Sequence, residues 1–149
     1  KTKTGMLNII YNPMMTRREE QEVQEKSMEI LKFLGLDGVA DLQAANIPYG
    51  HQRLLEIGRA LATSPKLLLL DEPAAGMNSA EKQELIKTIR SIRDTYHLAV
   101  LLVEHDMELV MGISEDITVL NYGRRIANGS ASEVQNNEAV IEAYLGRKE

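Results

Sequence analysis

Apolar residues recur at helical spacing in three stretches of the chain, and each stretch predicts an amphipathic helix. The predicted helices span residues 17–34, 50–63 and 79–96. The first carries its acidic residues early and should end at Gly35, whose missing Cβ tolerates the left-handed conformation of a helix end. The residues of the third helix predicted to face the core are Leu85, Ile86, Ile89 and Ile92.

Two short apolar runs predict β-strands on either side of the third helix. The first is the run of four leucines at 67–70, which Asp71, Glu72 and Pro73 close, and the second spans 97–103. Continuous apolar runs of this length are typical of strands buried on both faces of a parallel sheet. Strand, helix and strand together predict a right-handed crossover unit.

The rest of the chain predicts smaller elements. They are a short helix at 106–113, hairpin strands at 117–121 and 125–128 around Tyr122-Gly123, and two short helices within 131–144. The first sixteen residues show no sustained period and predict a mobile lead-in. The predicted organisation is therefore a lead-in at 1–16, a helical segment at 17–63 and an α/β segment at 64–149.

Composition narrows the classes of protein to consider. The chain has 149 residues, with 17 Lys and Arg against 22 Asp and Glu, so its net charge is −5. This balance argues against nucleic acid as a partner. No apolar run approaches the ~20 residues that a bilayer-crossing helix needs. Without cysteine there is no disulfide framework and no thiolate metal site.

Charged residues follow both predicted strands, at the ends where open parallel sheets bind ligands. Asp71 and Glu72 follow the first strand, and His105 follows the second. Successive side chains of an extended chain point in opposite directions, so we expect one carboxylate to hold a metal's water shell and the other to polarise water. A histidine there can stabilise a phosphoryl group. The alternatives are a helix cap or turn for the carboxylates and a surface histidine.

A third candidate site is the loop at 46–53, which leads into the second predicted helix. Unsatisfied N–H groups and the helix dipole both favour phosphate at a helix start. An ordinary helix start, with Pro48 fixing the approach of the chain, is the alternative.

The order and spacing of four segments closely resemble the C-terminal half of an ATP-binding cassette (ABC) ATPase. The segments are IPYGHQRLLEIGRALA, KLLLLDEP, AAGMNSAE and LLVEHD. Their counterparts in that family are the signature loop, the Walker B strand with its catalytic glutamate, the D-loop and the switch histidine. The resemblance runs from about Arg17 onward. It implies an α/β fold of the P-loop NTPase type, with a helical subdomain and half of a parallel, helix-covered sheet.

The resemblance also implies roles for individual residues, with ATP and Mg²⁺ as cofactors. Asp71 would orient Mg²⁺ through water, Glu72 would polarise the hydrolytic water and His105 would contact the γ-phosphate. The signature loop would cap the γ-phosphate of ATP held by a second ATPase subunit. Its cofactor-binding residues would be Tyr49, Gly50, His51 and Gln52. The D-loop at 75–78 would reach the partner subunit, and Asn78 would be a further cofactor-binding residue.

Longer segments resemble one branch of the family, the ATPase subunits of branched-chain amino acid importers. They are LGLDGVADLQAANIPYGHQRLLEIGRALATSPKLLLLDEPAAGMN and the C-terminal EVQNNEAVIEAYLG. Urea importers, the lipopolysaccharide-export ATPase, non-transport ABC ATPases and a non-enzymatic module that keeps the fold are the alternatives. The resemblance implies a dimer of ATPase subunits, transmembrane permease subunits, an indirect periplasmic or extracellular binding protein, and a place at the cytoplasmic face of the cell membrane.

The sequence also departs from the family pattern. Pro48 stands where Ser is usual, His51 replaces Gln, and Asn78 replaces Asp. The phosphate-binding motif G-x-x-x-x-G-K-[ST] does not occur in residues 1–149. We therefore expect this chain to be the C-terminal portion of a longer ATPase, inactive alone. Its half-sheet should have an uncovered edge and an exposed apolar face, which favours self-association.

Overall fold

The computed structural model describes residues 13–145, and the side chains of 17–144. Most of the predicted lead-in, residues 1–12, lies outside the described residues. The described chain divides into two compact units. One comprises residues up to Leu68 together with Thr95–Leu101, and the other comprises Leu69–Asp94 and the chain from Leu102 onward. The predicted segment boundaries at 17, 63 and 64 stay a prediction.

All of the predicted helices and strands are present, with small differences at their ends. The helices are α1 (Pro13–Phe33), α2 (Tyr49–Leu61), α3 (Ser79–Tyr96), α4 (Met107–Ile113), α5 (Ala131–Gln135) and α6 (Glu138–Val140). The strands are β1 (Leu67–Asp71), β2 (Ala99–Val103), β3 (Ile117–Asn121) and β4 (Arg124–Gly129). Short 3₁₀ turns at Asp37–Val39 and Ala44–Asn46 precede α2, and a π-helical turn at Ile141–Leu145 follows α6.

Helices α1 and α2 lie in the first unit and pack closely. α1 begins at Pro13, four residues before the predicted start, because proline is tolerated at the first helical position, where no N–H is needed. It ends as predicted at Gly35, which has φ +70°. A Cβ on Gly58 of α2 would lie 2.9 Å from the Cδ1 atom of Leu34, so the missing side chain permits the close approach. Val23 belongs to the apolar residues that recur at helical spacing in α1, yet it is exposed.

Strands β1 and β2 are parallel neighbours. The amide of Ala99 donates to the carbonyl of Lys66, and the amide of Glu72 donates to that of Val103, so both strands run in the same direction. The expectation that both strands are buried on two faces is wrong for the described residues. Only alternate residues of β1 are buried, and no residue of β2 is fully buried. The exposed residues include Leu67, Leu69, Leu101 and Val103.

Exposure of alternate strand residues has a simple physical reason. A strand presents successive side chains to opposite faces of its sheet, and in the described residues only one face of β1 is covered. The other expectation, an exposed apolar face on a half-sheet, agrees with this pattern of burial.

Two groups of buried residues lie in the described part of the second unit. In α3 the four predicted inward residues, Leu85, Ile86, Ile89 and Ile92, are all buried. A separate cluster under the β3–β4 hairpin consists of Ile117, Val119, Val134 and Val140. The hairpin is antiparallel and turns at Tyr122 and Gly123, as predicted. Both of these residues have positive φ, which is typical of tight hairpin turns.

Candidate functional site

The chain turns sharply where β1 ends. Asp71 is the last residue of the strand and is exposed, and Glu72 follows with φ +44°. A residue other than glycine in this left-handed region costs about 1–2 kcal/mol. The carbonyl of Glu72 accepts a hydrogen bond from the amide of Ala75 at 3.1 Å, which closes the turn. The premise of an extended chain at Glu72, from which we expected opposite directions for the two carboxylates, is therefore wrong.

Glu72 and His105 are brought together by this turn. The Nδ1 atom of His105 lies 3.2 Å from the Oε1 atom of Glu72, and the two side chains are 72% and 54% exposed, respectively. A carboxylate can only accept, so Nδ1 must carry the proton of this hydrogen bond. The Nε2 atom of His105 and the second oxygen of Glu72 remain available to a ligand or a water. The two residues that the sequence placed at neighbouring strand ends are thus in contact.

Glu104 was given no role in the sequence analysis, yet it is the central polar residue of this region. Its side chain is only 2% exposed. Its carboxylate accepts from three backbone amides: those of Ala74 at 3.0 Å, His105 at 3.2 Å and Asp106 at 3.4 Å. A charged residue at the end of an apolar run is usually solvated. The sequence therefore carried no signal for this burial.

The loop at 75–78 leads directly into α3. The amide of Glu81 donates to the Oδ1 atom of Asn78 at 3.0 Å, and the Oε2 atom of Glu81 accepts from the amide of Asn78 at 2.8 Å. These reciprocal bonds form a capping box, in which Asn78 caps α3. The side-chain oxygen of Asn78 is therefore engaged by the helix. Its predicted contact with a nucleotide stays a prediction.

Lys82 and Asp106 form an ion pair that joins the first turns of α3 and α4. Asp106 also caps α4 by accepting from the amide of Leu109 at 3.1 Å. The hydrogen bond from Lys82, with that amide second, holds the pKa of Asp106 below its usual value. The hydrogen bond to Asp106 raises the pKa of Lys82. Neither residue was selected from the sequence, because the pairing joins residues far apart in the chain.

Asp106→Asn should test this ion pair, because asparagine keeps the capping oxygen and loses only the charge. At pH 7 we expect the urea midpoint of unfolding to fall by roughly 0.3–0.5 M. The native pKa of Asp106 lies below its unfolded value of about 3.9, so the stabilisation is fully present above that value and lost as pH falls through the native pKa. Urea titrations at pH 7 and pH 2.5 check this, with exposed Asp41→Asn as control. An equal loss at both pH values would contradict it.

The signature-type loop lies in the first unit, at the start of α2. Pro48 is the N-cap and offers no side-chain acceptor, so no side chain caps the amides of the first turn. The Nε2 atom of Gln52 donates to the carbonyl of Ile47 at 2.9 Å and so fastens the loop. The Nδ1 atom of His51 is buried without a hydrogen-bond partner in the described residues. Among the residues that the structure describes, the predicted anion site thus has no side-chain cap.

Tyr49 is held on the surface of α2 by Arg53. The Nε atom of Arg53 donates to the Tyr49 hydroxyl at 2.9 Å, and its guanidinium carbon lies 5.1 Å from the ring centroid. The Tyr49 side chain remains about half exposed. Together with Gly50 it presents an aromatic ring and a helix start to solvent. This arrangement is suited to contact with a second molecule.

Two family models match the chain. The one described as "ABC transporter" matches residues 5–75, and the one described as "Branched-chain amino acid ATP-binding cassette transporter" matches residues 124–149. The high-affinity branched-chain amino acid transport ATP-binding protein LivG of Salmonella typhimurium is 45% identical over 144 residues, which are 97% of this chain and 56% of LivG. The chain belongs to the ATP-binding cassette family.

A second curated relative in the ABC family gives a similar alignment. BraF of Pseudomonas aeruginosa, a high-affinity branched-chain amino acid transport ATP-binding protein, is 41% identical over 96% of this chain and 56% of BraF. The chain therefore spans about half the length of the curated relatives it matches.

Solved ABC structures show the same fold. An ATP-binding cassette in its ADP conformation superposes with a TM-score of 0.77 and 31% identity, over 85% of this chain and 51% of that one. A nucleotide-free ATP-binding cassette gives a TM-score of 0.72 and 28% identity, over 97% of this chain and 58% of the other. The chain is thus a part of the ABC ATPase form of the P-loop NTPase fold, as expected from the sequence.

Proposed function

We propose that this chain is part of the ATP-hydrolysing subunit of an ABC transporter and carries its catalytic glutamate. The observation that supports this most directly is the pairing of Glu72 with His105 at 3.2 Å, at the carboxyl end of a parallel strand pair. Both side chains are substantially exposed, so a water and a phosphoryl group can reach them. We call the proposed longer protein, of the relatives' length, the complete cassette protein.

In the proposed reaction, Glu72 accepts a proton from the attacking water as general base. Glu72 accepts a hydrogen bond from Nδ1 of His105, which orients both side chains. When Nε2 carries a proton as well, it can donate to a phosphoryl oxygen. The hydrogen bond between Glu72 and His105 fixes the mutual orientation of the two side chains, which lowers the reorganisation that the proposed reaction requires.

The residues present fit the two cofactors in different ways. ATP would be met by the amides of Tyr49 and Gly50, since the N-cap residue of α2, Pro48, makes no side-chain cap hydrogen bond. Among the described residues, no cluster of three His, Asp or Glu side chains is suited to a metal. Exposed Asp71 would therefore contribute a single carboxylate, through water, to a Mg²⁺ ion held mainly by phosphates. When bound, Mg²⁺ would neutralise charge on the phosphates.

The signature loop is proposed to act on ATP held by a second ATPase subunit. Two observations support this proposal. Tyr49 is exposed, and no side chain caps the start of α2. A dimer of ATPase subunits would then form the complete site.

The proposed transporter is an importer of branched-chain amino acids, with permease subunits in the membrane and a binding protein outside. The names of LivG and BraF and the match at 124–149 support this substrate. In residues 13–145, no helix combines the length and apolar composition needed to cross a bilayer. We propose that the subunit lies at the cytoplasmic face of the membrane, held there by the permeases.

Reconstitution tests the proposed function. The complete cassette protein, placed in proteoliposomes with its membrane subunits and binding protein, is expected to take up labelled leucine, isoleucine and valine when Mg-ATP is supplied. Parallel samples with labelled urea test the alternative importer. Uptake of urea without uptake of the three amino acids would contradict the proposed substrate and show that the transporter imports urea. Steady ATP hydrolysis without any association with membrane subunits would instead favour a non-transport ABC ATPase.

A further inference from the structure

Glu104 links two loops that the proposed function needs together. The first loop carries Glu72, Pro73 and Ala74 after β1, and the second carries Glu104 and His105 after β2. The amide of Glu72 donates to the carbonyl of Val103 at 2.9 Å, which is the last backbone bond between the two strand ends. Pro73 has no N–H to continue the ladder. The next amide, that of Ala74, donates to the Oε1 atom of Glu104 at 3.0 Å.

The side chain of Glu104 thus adds one further connection where backbone pairing stops. Ala74 is 4% exposed and the Glu104 side chain is 2% exposed, so this hydrogen bond is shielded from water. A shielded hydrogen bond to a carboxylate contributes more than an exposed one. The second oxygen of Glu104 accepts from the amides of its own loop, at His105 and Asp106.

The chemistry of the site selects a carboxylate of this length. Three amides converge on one side chain, and a carboxylate accepts on both oxygens without offering a donor. Glutamine would turn an N–H₂ group toward at least one amide. Aspartate at position 104 keeps both carboxylate oxygens, and it can still accept from the amide of Asp106, two residues further along the chain. Its side chain is one methylene shorter, so it does not reach the amide of Ala74.

We propose that Glu104 is a positioning residue that fastens the turn of Glu72 to the loop of His105, so that the two side chains keep their mutual geometry. The proposal rests on the proposed function for its effect on hydrolysis. Glu104 touches neither a reacting atom nor a ligand in this arrangement. It acts through the backbone of Ala74 on one side. On the other side it accepts from the amide of His105, and its Oε2 atom lies 3.9 Å from Nδ1 of the His105 ring.

The test compares Glu104→Asp and Glu104→Gln in the complete cassette protein with the unmodified protein. Glu133→Gln is the matched control, because Glu133 also accepts from a backbone amide, that of Ser130 at 2.8 Å, and contacts neither loop. In Glu104→Asp, amide hydrogen exchange at Ala74 should accelerate on the order of tenfold, because the shorter side chain does not reach that amide. In Glu104→Gln, the amides that face the N–H₂ group should exchange faster by a similar factor. The imidazole NMR signals of His105 should shift. The control should leave both measurements unchanged.

Kinetics give the functional outcome. Both Glu104 variants are expected to lower kcat on the order of tenfold, with the KM for ATP within about threefold of the unmodified value, because positioning rather than nucleotide binding is lost. Unchanged exchange at Ala74 in both variants would overturn the proposal, and so would faster exchange with an unchanged kcat. An unmodified protein that hydrolyses no ATP would overturn the proposed function separately. The exchange and imidazole measurements need no ATP and would still decide whether the two loops are fastened.

Discussion

Glu72→Gln in the complete cassette protein is expected to lower ATP turnover by a factor of about 10²–10⁴, the usual contribution of a general base. The amide has the shape of the carboxylate but cannot take a proton from water. It can still accept a hydrogen bond from Nδ1 of His105 through its carbonyl oxygen, so the geometry should persist. Steady-state hydrolysis and Mg-ATP binding by calorimetry are the two measurements, and binding should be retained.

Glu84→Gln is the matched control for this substitution. Glu84 lies on the exposed side of α3 in the same unit, and its carboxylate forms an ion pair with nearby Lys87. Its replacement removes the same charge at a distance from the strand ends, and turnover should not change. Near-normal turnover in Glu72→Gln would remove Glu72 from its proposed role, whereas a loss of nucleotide binding would indicate damage to the fold.

Gly50→Asp should be nearly as damaging, for a different reason. The substitution adds a side chain and a negative charge at the start of α2, where the proposed ligand is a phosphate of ATP on the partner subunit. Steric contact and charge repulsion then act together. We expect ATP-driven dimerisation to be lost and turnover to fall on the order of 10²-fold or more. Sedimentation with a hydrolysis-deficient Glu72→Gln background measures the dimer directly.

Gly38→Asp is the matched control, because it adds the same negative charge and also replaces a glycine. A Cβ at Gly38 meets no atom within 4 Å, and the residue lies in the same unit as Gly50. This variant should dimerise and hydrolyse ATP normally. Undiminished dimerisation and turnover in Gly50→Asp would show that the loop at Tyr49-Gly50 is an ordinary helix start, and the proposed cross-subunit site would fail.

Dimers that contain two different variants test the two proposed ATP sites of the dimer independently. In a dimer of one Gly50→Asp subunit and one Glu72→Gln subunit, both lesions fall on the same composite site if each signature loop serves the partner's nucleotide. The opposite site keeps its glutamate and its signature loop. Measurable hydrolysis by the mixture, with neither homodimer active, would support the arrangement across subunits.

Local pattern in the sequence was sufficient to predict most of the fold. Helical spacing of Leu85, Ile86, Ile89 and Ile92 predicted the buried face of α3, and Gly35 predicted the end of α1. Burial of the strands was predicted less well. A run of leucines has the same appearance whether one face or two are covered, and coverage depends on what lies against the sheet.

Only some residues of the candidate site could be predicted from the sequence. Glu72 and His105 could be selected because they follow two strands of one crossover unit, and parallel strands end at the same edge. Glu104 could not be selected, because its importance comes from burial and from the amide of a residue thirty positions away. Lys82 likewise pairs with Asp106 across 24 positions. Contacts of this kind depend on tertiary structure and have no local period.

Alternate residues of β1 are exposed, so neighbouring leucines in this strand have different reasons to stay apolar. Leu68 and Leu70 are buried by this chain itself, so selection on them acts through the stability of its own core. Leu67 and Leu69 are 51% and 65% exposed in the described structure, so selection to keep them apolar can act only through whatever lies against them. Four identical residues in a row are thus under two different constraints.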